Sequence, residues 1–273
     1  MSDRKIIFLD IDGTLLPRDG VMPDSTVEAL KRAKTNGHEL VICTGRAMCQ
    51  LNKGIDKDLF TGFVTVAGSC VVRNGERVFQ KKMTREQLDI LAKYFRDNHM
   101  PFYFQSEEGV YTTEEALAES LVEFRRLGFD DQTLMDVFGY VTTRPDPEFA
   151  PNLEKALYYK CTKPASEVAK DIGDSFLIQD SSFKVTRFCD GEVTCAGVHK
   201  ALGMDEYIKA AGASRDDSIA IGDGPNDYEM IQYAKTGIVM ANGIDSLKEI
   251  ADFVTKSVDE DGIFYAFQHY GLI

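Results

Sequence analysis

The sequence contains no uninterrupted apolar run of the roughly 18 residues that a transmembrane helix needs. Its start, Met1-Ser2-Asp3-Arg4, leads directly into an apolar segment and lacks the pattern of a signal peptide. A cytoplasmic location is therefore expected.

The sequence also lacks the cysteine spacing of a zinc site. Its six cysteines form no C-x-x-C pair, and several lie inside apolar runs, where a reduced thiol packs as a small hydrophobic group. Neither a zinc site nor a disulfide framework is expected. The cysteines are Cys43, Cys49, Cys70, Cys161, Cys189 and Cys195.

The sequence has fewer basic than acidic residues: 31 Lys and Arg compared with 44 Asp and Glu, which gives a net charge of −13. Nucleic acids and anionic membrane surfaces bind basic surfaces, so neither is expected as a partner. A small phosphorylated metabolite stays open as a partner, because a bound divalent cation can reverse the local field. The oligomeric state is left open.

The sequence does contain short apolar runs that alternate with amphipathic helical stretches. With 273 residues, of which 44% are hydrophobic, the chain is long enough for one large domain or two modest ones. The alternation predicts an α/β fold, with a parallel sheet covered by helices on both faces. The runs predicted as buried strands are 5–9, 39–43, 63–66, 218–221 and 237–240.

The middle of the chain follows a different pattern. A Thr84/Gln87 capping box predicts the start of a helix, and strand-like runs then follow in close succession. This is typical of an antiparallel sheet with helices on one face. We therefore expect an inserted α+β module at 83–189 and a parallel-sheet core formed by 1–82 and 190–273. The strand-like runs of the module are 102–104, 110–112, 156–161, 175–178 and 183–188.

Polar residues collect where the first strand ends, in Asp10-Ile11-Asp12-Gly13-Thr14. Ligands of open parallel sheets bind beyond the carboxyl ends of the strands, so both carboxylates lie where a site is expected. Two carboxylates on one side of the chain repel each other unless a cation or a proton compensates. The alternative is a solvated turn, because Asp-Gly is a common turn dipeptide.

Two further strands end in the same manner. Thr44 and Gly45 follow the second strand and offer a hydroxyl and a backbone amide to a phosphate. Asp223, Asn226 and Asp227 follow a later strand and supply the oxygen ligands that magnesium prefers, next to a helix N-terminus. The alternative for Asp227 is a carboxylate that stabilises the first turn of that helix.

Three strand ends with Asp-x-Asp, Thr-Gly and Gly-Asp-x-x-Asn-Asp in this order resemble the haloacid dehalogenase (HAD) superfamily of phosphatases. The Cys-Thr-Gly-Arg segment, the long insert and the final motif are similar to its Cof-type subgroup. The resemblance implies a Rossmann-like doubly wound core with an inserted cap domain. Ala67-Gly68-Ser69, Ala241-Asn242-Gly243 and Val258 depart from the loops of the subgroup.

The resemblance implies a role for each motif residue. Asp10 would be the nucleophile that is transiently phosphorylated, and Asp12 the general acid and base. Thr44, Gly45, Asn226 and Lys200 would hold the phosphate; Lys184 and Lys209 are the alternatives to Lys200. The cofactor would be Mg²⁺, held by Asp10, the carbonyl of Asp12, Asp223 and Asp227, with Asp227 either a ligand or a residue that orients one.

The implied function is a magnesium-dependent phosphatase acting on a small phosphate ester, either a sugar phosphate or a phosphorylated cofactor, with the insert as a lid. A phosphohexose mutase and a non-catalytic phosphate- or metal-sensing module are the alternatives. A dinucleotide-binding protein is disfavoured, because the first strand is followed by Asp-Gly-Thr rather than by G-x-G-x-x-G.

Overall fold

A computed structural model describes residues 4–17, 20–51, 54–181 and 189–273. The chain folds into two compact units. The first consists of Met1–Gly45, Leu51–Gln80 and His199–Ile273, and the second of Arg46–Gln50 and Lys81–Val198. No helix within the described ranges is both long enough and apolar enough to cross a membrane.

The elements alternate along the ends of the chain and cluster by type in its middle. The strands are β1 Ile6–Leu9, β2 Glu39–Cys43, β3 Gly62–Thr65, β4 Cys70–Arg73, β5 Glu76–Gln80, β6 Phe102–Gln105, β7 Val110–Thr112, β8 Val141–Thr143, β9 Lys155–Cys161, β10 Phe176–Asp180, β11 Cys189–Cys195, β12 Ser218–Gly222, β13 Thr236–Val239 and β14 Phe253–Val254. The helices are α1 Asp24–Thr35, α2 Arg85–Asp97, α3 Glu114–Arg126, α4 Asp131–Phe138, α5 Ala165–Ile172, α6 Lys200–Ala211, α7 Tyr228–Tyr233, α8 Asp245–Lys248 and α9 Gly262–His269.

The first unit is built on an eight-stranded sheet in the order β14-β13-β12-β1-β2-β3-β4-β5. The pairs from β14 to β3 are parallel, as expected from the apolar runs. The central strands β1 and β2 are fully buried, which explains why they read as continuous apolar runs. The carboxyl ends of β1, β2 and β12 therefore meet at one edge of the sheet.

Two antiparallel strands, β4 and β5, extend this sheet and were not predicted. They are joined by Asn74 and Gly75, whose positive φ values of 51° and 81° match the two-residue hairpin turn that Asn-Gly favours. The Asn-Gly pair is a hairpin signal, but most of β5 is exposed, so the strand lacks the apolar pattern of a buried one.

The second unit is built on a six-stranded sheet in the order β10-β11-β9-β6-β7-β8, antiparallel except for the β7–β8 pair. Helix α2 begins with the predicted capping box of Thr84 and Gln87. Its Phe95 packs against Phe102 of β6 and Tyr158 of β9, with ring centroids 5.3 and 5.7 Å apart. The predicted strand 183–188 lies outside the described residues.

The end of the insert differs from the expectation. The boundary predicted between residues 189 and 190 lies inside β11, which pairs with β9 and β10, so residues 190–198 belong to the second unit. Gly191, next to Asp190, occupies a strand position opposite Tyr158. A Cβ added at Gly191 would lie 2.2 Å from that ring, so the position needs glycine for space rather than for a turn.

Candidate active site

Asp10 lies at the carboxyl end of β1, in the middle of the first unit's sheet. Its backbone N–H donates to the carbonyl of Ile221 on β12 at 3.0 Å, which continues the parallel ladder by one residue. Its side chain is directed to the same site as that of Lys200, and the residue is only 6% exposed. The predicted nucleophile is thus a carboxylate held almost out of solvent by the sheet.

Lys200 is the first residue of α6, and its side chain is fully buried. Its Nζ donates to Asp10 Oδ1 at 2.6 Å and to Asp227 Oδ1 at 2.5 Å. Burial lowers the pKa of Lys200, but the two carboxylates more than offset this and raise the pKa above its usual value. The lysine therefore stays charged and joins the strand ends of β1 and β12.

The start of α6 is fixed by His199, whose Nδ1 accepts a hydrogen bond from the N–H of Leu202 at 3.2 Å and so caps the helix. This cap sets the residue at which the helix begins and thereby the place of Lys200. Of the two alternatives, Lys209 is exposed and pairs with Asp205 and Glu206, and Lys184 lies outside the described residues. Lys200 is the lysine at the candidate site.

Asp227 is completely buried, and its carboxylate is already engaged. Oδ2 accepts the backbone N–H groups of Asp223 and Gly224, both at 2.9 Å, while Oδ1 accepts from Lys200. A carboxylate oxygen with two donors has little capacity left for a further partner. Asp227 thus fixes the loop that carries Asp223.

Asp223 is held by Thr14, whose hydroxyl donates to Oδ1 at 2.8 Å. Burial, followed by the negative charge of Asp227, raises the pKa of Asp223 to about 7. The hydrogen bond from Thr14 opposes this shift, as does the charge of Lys200. Burial likewise raises the pKa of Asp10 well above its usual value, against the lowering effect of Lys200.

Asp10, Asp223 and Asp227 form a group that fits a divalent cation. Each can place one carboxylate oxygen within 4.8 Å of the others. The donors are hard oxygen atoms, and three carboxylates face one lysine, so a positive charge at this point would lower the raised pKa values of Asp10 and Asp223. The side chain of Asp12 is exposed and is not part of the group.

The loop after β1 bends tightly to reach Asp223. Gly13 has a φ of +85°, and a Cβ at this position would lie 2.2 Å from Asp223 Oδ2. Glycine therefore satisfies both the left-handed backbone and the close approach. This is the physical reason for the Asp-Gly pair, which the sequence alone could not distinguish from a solvated turn.

Thr44 and Asn226 lie after the two strands that flank β1. Thr44 follows β2 and is buried; its N–H donates to the carbonyl of Val64 at 2.8 Å. Asn226 is buried in the short turn Pro225–Asp227 before α7. The sheet thus brings both residues, together with Gly45 after Thr44, to the edge that carries Asp10.

A left-handed turn after β3 connects Thr44 with the start of α6. Val66, Ala67 and Gly68 all have positive φ, at 50°, 57° and 99°. The N–H of Ala67 donates to the carbonyl of Thr44 at 3.0 Å, and a Cβ at Gly68 would lie 2.1 Å from the carbonyl oxygen of His199. Because Val66 and Ala67 are not glycines, this conformation represents local backbone strain beside the candidate site.

Two residues that contribute to the candidate site, Thr14 and Asn242, were not predicted from the sequence. Thr14 is the last residue of the Asp-x-Asp-Gly-Thr segment, so its position was a usable signal. Asn242 donates to the carbonyl of Gly13 at 2.8 Å and accepts from the N–H of Val258 at 2.9 Å. Asn242 therefore ties the loop that follows Asp10 to a loop near the C-terminus. It lies in a segment noted only as a departure from the Cof-type pattern.

The family model described as haloacid dehalogenase-like hydrolase matches residues 7–267, which is nearly the whole chain. The chain belongs to this family. This match confirms the family predicted from the motifs. The observed sheet confirms the α/β fold with a parallel-sheet core that the alternating pattern predicted. Similarity to a named phosphatase confirms the prediction of an enzyme of the phosphatase type.

Relatives span the full length of the chain. YkrA of Bacillus subtilis (strain 168) is 29% identical over 273 residues, 99% of each protein. The 5-amino-6-(5-phospho-D-ribitylamino)uracil phosphatase YwtE of the same organism is 29% identical over 279 residues, 96% of each. The solved structure of the HAD subclass IIB sugar phosphatase BT4131 matches 98% of this chain and 100% of its own, with a TM-score of 0.77 at 23% identity, which shows a shared fold.

Proposed function

We propose that the protein is a magnesium-dependent phosphatase that hydrolyses a small phosphate ester through an aspartyl-phosphate at Asp10. The observation that supports this most is the bridge of Lys200 between Asp10 and Asp227, which holds a buried carboxylate beside the oxygen ligands of Asp223. A carboxylate so placed is a feasible nucleophile toward phosphorus.

Asp10, Asp223 and the backbone carbonyl of Asp12 would hold Mg²⁺. When bound, the ion supplies charge neutralisation for the phosphoryl oxygens. Asp227 orients Asp223 rather than binding the ion, because both of its oxygens already accept hydrogen bonds. These hydrogen bonds support the second of the two roles that the sequence left open for Asp227, that of a residue that orients a ligand.

In the first step an oxygen of Asp10 attacks phosphorus, and the bond from phosphorus to the substrate oxygen breaks. Asp12 donates a proton to the departing alkoxide, so an alcohol leaves. In the second step Asp12 takes a proton from water, the water oxygen attacks phosphorus, and the acyl phosphate bond breaks to regenerate Asp10. The exposed side chain of Asp12 suits both transfers, because it is accessible to substrate and water.

Lys200 holds one oxygen of Asp10 and leaves the other for attack, and its charge offsets that of the phosphoryl group. Thr44, Gly45 and Asn226 complete the phosphate contacts from the flanking strand ends. Fixed donors of this kind act where charge develops in the transition state, which is the main requirement of phosphoryl transfer.

The substrate is proposed to be a small phosphorylated metabolite, either a sugar phosphate or a phosphorylated cofactor or precursor. Support comes from the names of two similar proteins: YwtE is a phosphatase of a phosphoribityl compound, and BT4131 is a sugar phosphatase. A cytoplasmic location stays a prediction.

The test is release of inorganic phosphate from a panel of sugar phosphates and phosphorylated cofactors, with Mg²⁺ and with excess chelator. Magnesium-dependent release, and loss of more than about 99% of the rate in Asp10→Asn, are expected. Activity in excess chelator would refute the requirement for magnesium. An active Asp10→Asn variant would refute the role of Asp10 as the nucleophile. Conversion of a sugar phosphate to its positional isomer without phosphate release would instead identify a mutase.

A further inference from the structure

Two cysteines of the second unit face each other across neighbouring strands. Cys161 at the end of β9 and Cys189 at the start of β11 are direct partners in the antiparallel register. Residues paired in this way have Cα atoms about 4.5–5.5 Å apart and side chains on the same face of the sheet. Disulfides require Cα separations of about 4.4–6.8 Å, so two cysteines paired in this way meet the backbone requirement for the bond.

A β-bulge creates this pairing. Gly191 lies opposite Tyr158, and in that register Cys189 would face Lys160 instead of Cys161. The register shifts by one residue between the two pairs, and Lys160 takes a left-handed backbone with a φ of 59°. The N–H of Lys160 donates to Asp190 Oδ1 at 3.1 Å, which stabilises the bulge.

The two thiols differ in access. Cys161 is 4% exposed, and its Sγ accepts the N–H of Lys163 at 3.4 Å. Burial raises the pKa of Cys161, so its thiol stays protonated at neutral pH. Cys189 is only half-buried and is open to a small oxidant. Among the strand pairings of the described residues, no other two cysteines face each other.

We propose that Cys161 and Cys189 are a reversible modification site that closes to a disulfide when a peroxide oxidises it. The thiol of Cys189 loses its proton and the thiolate attacks one peroxide oxygen. The O–O bond breaks, Cys189 becomes a sulfenic acid, and the departing hydroxide takes up that proton and leaves as water. The sulfur of Cys161 then attacks the sulfur of Cys189 as Cys161 loses its proton. The S–O bond breaks, and the departing hydroxide takes up that proton and leaves as a second water. Each closure consumes one peroxide.

The bond would link the two ends of the segment between residues 161 and 189, across the bulge, and so constrain the unfolded chain. A single reversible bond differs from a disulfide framework, which the cysteine spacing does not support. The inference is independent of the proposed function, because neither cysteine belongs to the candidate active site.

The test uses the full-length protein, freed of reductant and treated with hydrogen peroxide in the folded state. After alkylation of the remaining thiols, peptide mapping without reduction should yield one cross-linked species that joins Cys161 and Cys189. Dithiothreitol should release it. The oxidised protein should melt at a higher temperature than the reduced protein.

Three variants provide controls. Cys161→Ser and Cys189→Ser should form no cross-link and should show no rise in melting temperature on oxidation, whereas Cys195→Ser should behave as the wild type. Cross-links that involve other cysteines, oxidation of Cys189 to a sulfinic acid alone, or retention of both thiols would overturn the proposal. The wild-type mapping decides the matter even if a variant folds poorly.

Discussion

Lys200 is charged, and its side chain is fully buried. Burying a charge costs free energy unless the charge is paired. Its two carboxylate partners come from different loops, so the ion pairs of a single side chain hold Asp10 and the loop of Asp223 at fixed positions. An isolated lysine in a sequence gives no sign of this, because most lysines are solvated. The family order of motifs predicted its role, and the cap from His199 explains its position.

Replacement of Thr14 by Val should weaken magnesium binding by about 10- to 100-fold, as is typical when a group that orients a metal ligand is lost. Valine has nearly the same shape as threonine but cannot donate the hydrogen bond to Asp223. Because that hydrogen bond lowers the pKa of Asp223, its loss should raise the pKa. The acid limb of the pH–rate profile should therefore move to higher pH. The measurement is the magnesium dependence of phosphate release across pH.

Thr14→Ser, which keeps the hydroxyl, should restore magnesium affinity to near the wild-type value. Equal magnesium affinity in Thr14→Val and the wild type would show that the bond to Asp223 does not prepare a metal ligand.

Stability should depend on pH through Asp223. Its folded-state pKa is raised to about 7, so protonation favours the fold; this contribution is complete below the unfolded pKa of about 3.9 and is lost as pH rises through about 7. In chelator, the melting temperature should fall between pH 5 and pH 8. Magnesium should raise it more at pH 8 than at pH 5, because the ion competes with protons for the carboxylates.

Thermal melts of the wild type and of Asp223→Asn in chelator separate the contribution of the Asp223 carboxyl from those of other groups that titrate between pH 5 and pH 8. The variant should lose less stability over the interval. A magnesium effect of the same size at both pH values would contradict the assignment.

At the scale of elements, the buried strands were the most predictable feature. The apolar run at 39–43 coincides with β2, because a strand buried on both faces has no alternative pattern. Hairpin strand β5 and helix α4 escaped prediction: β5 is largely exposed, and α4 is short. The links of Thr14 to Asp223 and of Asn242 to Gly13 span 209 and 229 residues, so no local pattern could predict them.

The left-handed turn after β3 yields a prediction at this scale. Gly68→Ala would place a methyl group against the carbonyl of His199 and push the start of α6, with Lys200, out of position. The rate of phosphate release should fall by more than the loss of stability explains, with kcat reduced more than KM is raised. Steady-state kinetics below the melting transition measure this.

Gly75→Ala is the matched control, because Gly75 also has a positive φ but a Cβ there would meet no atom within 4 Å. It should cost about 1–2 kcal/mol of stability for the backbone conformation and leave kcat unchanged. A Gly68→Ala variant with wild-type kcat would show that the turn does not position Lys200 for catalysis.

At the scale of the whole molecule, every residue of the candidate active site lies in the first unit. We expect phosphate and metal positioning to need only that unit, and selectivity among natural esters to need the inserted one. Replacing residues 81–198 by a short Gly-Ser linker should keep slow, magnesium-dependent hydrolysis of a small activated ester and abolish preference among natural esters.

The replaced segment must end at Val198, because β11 belongs to the second sheet and His199 caps α6. Circular dichroism must show that the shortened protein is folded before rates are compared. If it is folded and discriminates among esters as the intact protein does, selectivity resides in the first unit.

The central claim is a covalent phosphoryl group on Asp10. Enzyme quenched during turnover and treated with borohydride should contain homoserine at position 10, because an acyl phosphate is reduced to an alcohol whereas a free carboxylate is not. Peptide mass analysis locates the change, and enzyme without substrate is the control. Homoserine at Asp10 that depends on substrate is the result we predict; rapid turnover with Asp10 unmodified, or reduction at another carboxylate, would contradict the mechanism.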